Sequence, residues 1–203
     1  DFSKPTVVDS SRFARTFVEN TMGVTTINGL SAGQTNHGPQ HILIDGVGDS
    51  DLTSWDFTCI SVLELGATLG SYDSYFLWQW RVGWSIKDNM FKMGGGPNLR
   101  DRNLAASPDW RFEGNQVILV AKHNQSTMTY TIYDLQNGSV YGTTTGAVTP
   151  EMITYIQNYT FGYPTTSGRE ILIGSGFKHD TNGWIEGSNS KYGEVIFINQ
   201  YVE

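Results

Sequence analysis

Four aspartates crowd one short stretch, LIDGVGDSDLTSWDFT from Leu43 to Thr58: Asp45, Asp49, Asp51 and Asp56. Carboxylates at this density suit a hard cation, and Ca2+ tolerates irregular cages of loop carboxylates and carbonyls. An EF-hand loop would need acids at alternate positions, then a glycine and a distant glutamate, and this spacing lacks them. A nonapeptide β-roll site would need tandem copies, whereas GVGDSD occurs once. Asp45 and Gly46 therefore read first as a tight turn between two strands, with Asp49 and Asp51 as solvated acids. If an ion is held, the one expected is Ca2+ at Asp49 and Asp51, helped by Asp180 from a late loop.

A second stretch, YFLWQWRVGWS from Tyr75 to Ser85, carries recognition chemistry rather than catalysis. Read as one strand, it alternates Phe76, Trp78, Trp80, Val82 and Trp84 against Tyr75, Leu77, Gln79, Arg81 and Ser85. The tryptophan face is the costlier one to leave wet, so it reads as core, with sugar stacking as the competing role. Tyr75, Gln79 and Arg81 then face outward, planar and rich in hydrogen-bonding groups. That set suits a glycan, and it also suits an ordinary solvated face. His123 ends a strand and keeps step with Val117, Leu119 and Ala121, which leaves its side open. Trp184, in TNGWIEGSN, is either an exposed stacking ring or a plug over one end of the fold. Tyr75, Gln79, Arg81, His123 and Trp184 are the candidate ligand contacts.

Catalytic patterns are sparse. The zinc-protease H-E-x-x-H and the phosphate-binding G-x-x-x-x-G-K-[ST] do not occur, and the run Gly94 to Gly96 leads into Pro97, Asn98 and Leu99. His37, His41, His123 and His179 form no metal-ligand spacing with Cys59. Glu186 and Glu194 make a weak carboxylate pair for glycoside hydrolysis, and no E-x-D-x-E triplet is present. A polysaccharide lyase would use Arg81, Gln79, His123 and a tyrosine to neutralise a uronate and move a proton. The balance leans away from an enzyme.

The elements that must position these residues are strands. VILVAKH (Val117 to His123) and TMTYTIY (Thr127 to Tyr133) are β-branched and aromatic, with turn-prone NQS between them. EILIG and GEVIFINQYV follow later, and Gly, Asn, Ser and Pro clusters separate the runs. SSRFARTFVEN suits either a helix or a strand, and its second half leans to strand. One short helix is expected over Pro150 to Gln157, where Thr149 can cap and Pro150 suits the first helical position. Many strands with turn signals between them predict an all-β, two-sheet antiparallel sandwich in a single domain over 1–203.

The net charge of −7 and the lack of a basic stripe exclude a phosphate backbone as partner. No apolar run reaches membrane-span length, so no membrane insertion is expected. The single Cys59 forbids an intrachain disulfide. A chain opening on Asp1 rather than Met reads as a piece of a longer protein. The sequons at Asn124, Asn137 and Asn158 carry little weight in so Thr- and Ser-rich a chain.

Four segments in order give the chain a family likeness. ILIDGVGDSDLTSWDFTCISVLE, VVDSS near the start, DWRFEGNQVILVAKHNQSTMTYTIYDLQNGSVYG, and ILIGSGFKHDTNGWIEGSNSKYGEVIFINQYV together resemble laminin G-like, or concanavalin A-like, jelly rolls. The family's compact Y-x-D-G hairpin is stretched here to YDLQNG, and the C-terminal disulfide of its animal members is missing. The resemblance implies a jelly-roll sandwich and a lectin-like, non-catalytic module that binds a glycan or cell-surface receptor. Such a module would belong to an adhesin or a viral or phage attachment protein, at an extracellular, cell or virion surface. Oligomerisation would come through the parent protein. The competing functions are a lyase or glycoside hydrolase on the same fold, and a structural assembly domain.

Overall fold

A computed structural model describes residues 17–36, 40, 42–44, 56–66, 74–79, 82–87, 90–94, 101–103, 114–150, 171–174, 176–178, 183–185, 189–198 and 200–203. Among these the regular structure is all strand, apart from Pro150, which has helical conformation. The rest of the expected helix, 151–157, lies outside the described residues.

Two seven-stranded antiparallel sheets form the body. The first contains β1 (Phe17–Asn20), β4 (Ile42–Ile44), β6 (Ser74–Gln79), β7 (Val82–Lys87), β8 (Met90–Gly94), β9 (Asp101–Asn103) and β13 (Ile171–Gly174). Its order is β1-β4-β13-β6-β7-β8-β9. The second contains β2 (Gly23–Ile27), β3 (Leu30–Gln34), β5 (Phe57–Glu64), β10 (Gln116–His123), β11 (Thr127–Asp134), β12 (Val140–Ala147) and β16 (Lys191–Ile198). Its order is β12-β11-β10-β5-β16-β3-β2. A separate hairpin pairs β14 (Gly176–Lys178) with β15 (Gly183–Ile185).

Period-two sequence explains the second sheet. In β10 the residues Val117, Leu119, Ala121 and His123 are buried, while Ile118, Val120 and Lys122 between them are half-buried. In β11 Met128, Tyr130 and Ile132 are buried in the same way, and in β5 Phe57, Cys59, Ser61 and Leu63. Register stacks these into rows across three strands. Cys59, Ala121 and Tyr130 form one row, so the largest ring lies beside two small side chains; Ser61, Leu119 and Ile132 form the next. Each fully buried Leu, Ile or Val contributes about 1.5–3 kcal/mol relative to exposure.

The turns are fixed by particular atoms. Asn28 and Gly29 have φ of 48° and 78° and join β2 to β3 as a two-residue hairpin loop, the geometry that Asn-Gly favours. Asn124 Oδ1 accepts the N–H groups of Ser126 (2.9 Å) and Thr127 (2.7 Å) and holds the β10–β11 turn. At the β11–β12 turn, Asp134 Oδ1 accepts from the N–H groups of Gln136 (2.7 Å) and Asn137 (3.0 Å).

A buried polar clasp ties three strand ends of the second sheet. The Thr35 N–H donates to the Ser190 carbonyl at 3.0 Å, the Ser190 N–H donates to Thr35 Oγ1 at 3.2 Å, and the Gly66 N–H donates to Ser190 Oγ at 3.2 Å. All of these groups find partners, which is what burial of polar atoms demands.

Candidate functional site

The stretch Tyr75 to Ser85 is not one strand. Gln79 is in register with Val82, Trp78 with Gly83, and Leu77 with Trp84, so the chain reverses between β6 and β7. The sequence between Gln79 and Val82 contains no Gly, Asn, Asp or Pro, which is why period-two reading runs straight through. A second irregularity lies within β6: Tyr75 is in register with Ser85, leaving an extra residue before Leu77. By the hairpin register Trp78 is in register with Gly83 and Trp84 with Leu77, so the stretch does not follow one continuous alternation. Tyr75 and Gln79 lie on either side of this irregularity. The row of Gln79 continues through Ile171 to Ile44, while Tyr75 is in register with Gly174 on one side and Ser85 on the other.

The backbone brings two candidate segments together. β13 leads into β14 after one residue, and β14 comes near β6 without pairing with it. Since Gly174 is in register with Tyr75, this contact lies at the Tyr75 end of β6. β14 pairs with β15 and places Phe177 opposite Trp184. The strand carrying Tyr75 and Gln79 and the hairpin carrying Trp184 are therefore neighbours. Gln79 lies at the other end of β6, about 13 Å from Tyr75 at the usual rise per residue. Arg81 lies outside the described residues.

His123 belongs to neither segment. It is buried at the end of β10 in the second sheet, its ring stacked on Phe57 with centroids 4.4 Å apart and planes at 10°. Tyr130 meets it edge-on at 5.3 Å. Burial pushes its pKa down to about 3, so it is neutral at ordinary pH. Its step with Val117, Leu119 and Ala121 is the signal that it faces the core. It does not join an exposed ligand set.

The aspartates proposed for Ca2+, Asp49, Asp51 and Asp180, lie outside the described residues, as does the Asp45–Gly46 turn. Among the described residues no three His, Cys, Asp or Glu side chains group to hold a metal. Cys59 is a buried free thiol whose pKa is pushed up to about 12 by burial. Among the described residues no helix is long and apolar enough to cross a membrane.

One hydrolase-like pattern is easily passed over in the sequence. Gly29-Leu30-Ser31-Ala32-Gly33 spells G-x-S-x-G. A nucleophile elbow needs that serine on a sharp turn between a strand and a helix. Here Ser31 sits inside β3, in register with Thr26 of β2, so the motif has the wrong context.

No protein-family model matches this chain, and no curated protein sequence matches it. Solved structures do. The binding domain of botulinum neurotoxin serotype D superposes with a TM-score of 0.62 at 10% identity, over 99% of this chain and 47% of that one. The enzymatically active domain of tailspike protein 2 from bacteriophage CBA120 gives 0.58 at 10% identity, over 92% of this chain and 28% of that one. Trypanosoma rangeli sialidase gives 0.50 at 10% identity, over 89% of this chain and 26% of that one. At such identity these likenesses show a shared fold. The chain spans between about a quarter and a half of the length of these three structures.

Proposed function

We propose that this chain is a non-catalytic recognition module that binds a glycan or a glycosylated receptor, as part of a longer attachment protein. In this reading the two sheets stack as a concanavalin A-like, laminin G-like sandwich. The observation that carries it is the juxtaposition of β6 with the β14–β15 hairpin. It brings the strand of Tyr75 and Gln79 beside the hairpin of Trp184. A ring on Trp184 would stack one sugar, and Tyr75 would hydrogen-bond beside it. Gln79, at the far end of β6, would bond hydroxyls or a carboxylate of a later unit, with Arg81, which follows it closely in sequence, as the charged partner. The length of β6 favours an oligosaccharide over a single sugar.

Two structures of similar fold belong to a toxin's binding domain and a phage tailspike, which supports an extracellular or virion-surface setting. Fold likeness alone does not carry function, so the reading rests on the site. A glycan array probed with the whole chain tests it: selective binding to one family of oligosaccharides supports the module, and binding to none removes it. Release of unsaturated or shortened products from acidic polysaccharides would replace it with an enzyme.

A further inference from the structure

Three Asn-Gly pairs stand in the sequence: Asn28–Gly29, Asn137–Gly138 and Asn182–Gly183. Asn-Gly is chemically labile because glycine puts no side chain in the way of its own backbone nitrogen as that atom approaches the preceding carboxamide. The first two pairs are fully described, and both are exposed at hairpin turns.

Their surroundings differ. At the β11–β12 turn, Asn137 Oδ1 accepts the Ser139 N–H at 2.8 Å, and the Gly138 N–H donates to the Asp134 carbonyl at 3.0 Å. The first bond fixes the orientation of the Asn137 carboxamide, and the second holds the Gly138 N–H that would have to be released for attack. At the β2–β3 turn the backbone is left-handed at both Asn28 and Gly29. Among the described residues, neither the Asn28 carboxamide nor the Gly29 N–H enters a hydrogen bond.

We propose that Asn28 is a site of spontaneous deamidation in the folded protein, and that its turn protects Asn137 from the same reaction. Hydroxide removes the Gly29 amide proton, and the nitrogen attacks Asn28 Cγ. The Cγ–Nδ2 bond breaks, ammonia leaves with a proton from water, and a five-membered succinimide closes. Water then opens the ring at either carbonyl to give aspartate or isoaspartate, with no change in oxidation state. Either product adds a negative charge. The isoaspartate also adds a backbone methylene to a two-residue turn, where Ile27 and Leu30 are already paired and leave no slack.

The test is peptide mapping by mass spectrometry on the intact chain held in mildly alkaline buffer, with a parallel sample unfolded in urea. In the folded chain Asn28 should convert about tenfold faster than Asn137, the protection worth one to two hydrogen bonds. In urea the two sites should convert at similar rates. Conversion of Asn137 as fast as Asn28 in the folded chain would overturn the proposal. So would a gap that persists in urea, because sequence rather than structure would then set the rates.

Discussion

The imidazole of His123 lies face to face on the ring of Phe57, with centroids 4.4 Å apart, inside the second sheet's core. The two residues are in register across β10 and β5. Burial holds the folded-state pKa at about 3, below the ordinary 6.5. The unfolded chain therefore takes up a proton that the folded chain refuses as pH falls through about 6.5. Stability from this group is whole above that pH and is lost progressively towards pH 3. Urea midpoints should fall between pH 7 and pH 4, and His123→Leu should flatten that slope. An unchanged slope in the variant would show that His123 is protonated without cost.

Gly66 and Gly23 make a matched pair. A Cβ on Gly66 would lie 1.4 Å from the Asn189 carbonyl oxygen and 2.2 Å from its carbon. Backbone cannot yield as a flexible side chain does, and Ser190 of the clasp adjoins it. Gly66→Ala should cost about 3 kcal/mol or more, or prevent folding. On Gly23 the nearest atom would be the Gln34 carbonyl oxygen at 3.8 Å, so Gly23→Ala should stay within about 1 kcal/mol. Thermal melts of the two variants side by side decide it, and equal effects would refute the clasp geometry.

The Tyr141 hydroxyl donates to Asp134 Oδ2 at 2.5 Å, next to the turn that Asp134 holds. This bond is the largest cause keeping the Asp134 carboxyl below the usual range, and it pushes the Tyr141 phenol up. In Tyr141→Phe the Asp134 pKa should rise, while the β11–β12 pairing survives on its backbone bonds. Carboxyl titration by NMR reads the shift, and no rise would mean that the turn N–H groups alone set it.

Cys59 is closed to solvent, with its thiol pushed up to about 12 and Ser61 Oγ 3.7 Å from its sulfur. It should ignore a disulfide-exchange reagent in the native chain near pH 8 and react fully in denaturant. Rapid native reaction would mean that β5 opens locally far more readily than its central place allows.

Much of the second sheet was legible from alternation, because β5, β10 and β11 bury one face and wet the other. Phe57, Cys59 and Ser61 share the buried face of β5, as alternate strand positions do, and Phe17–Asn20 takes the strand alternative of its segment. The first sheet was harder. No Gly or Asn lies between Gln79 and Val82, where the chain reverses, and Gly83 falls one residue later, inside β7. Period-two reading has no means of seeing a bulge, and Tyr75 and Gln79, read as alternating in one strand, lie on either side of one. The approach of β14 to β6 joins segments about a hundred residues apart in sequence, a relation that only the folded chain supplies.

The recognition account is tested most directly by titrating an array-selected oligosaccharide against the native chain and against Trp184→Ala and Arg81→Ala, with melting temperatures measured alongside. The account predicts binding by the native chain, weakening of about tenfold or more in each variant, and little change in melting temperature. Unaltered binding in both variants, or a loss that follows unfolding, would contradict the placement of the site beside β6.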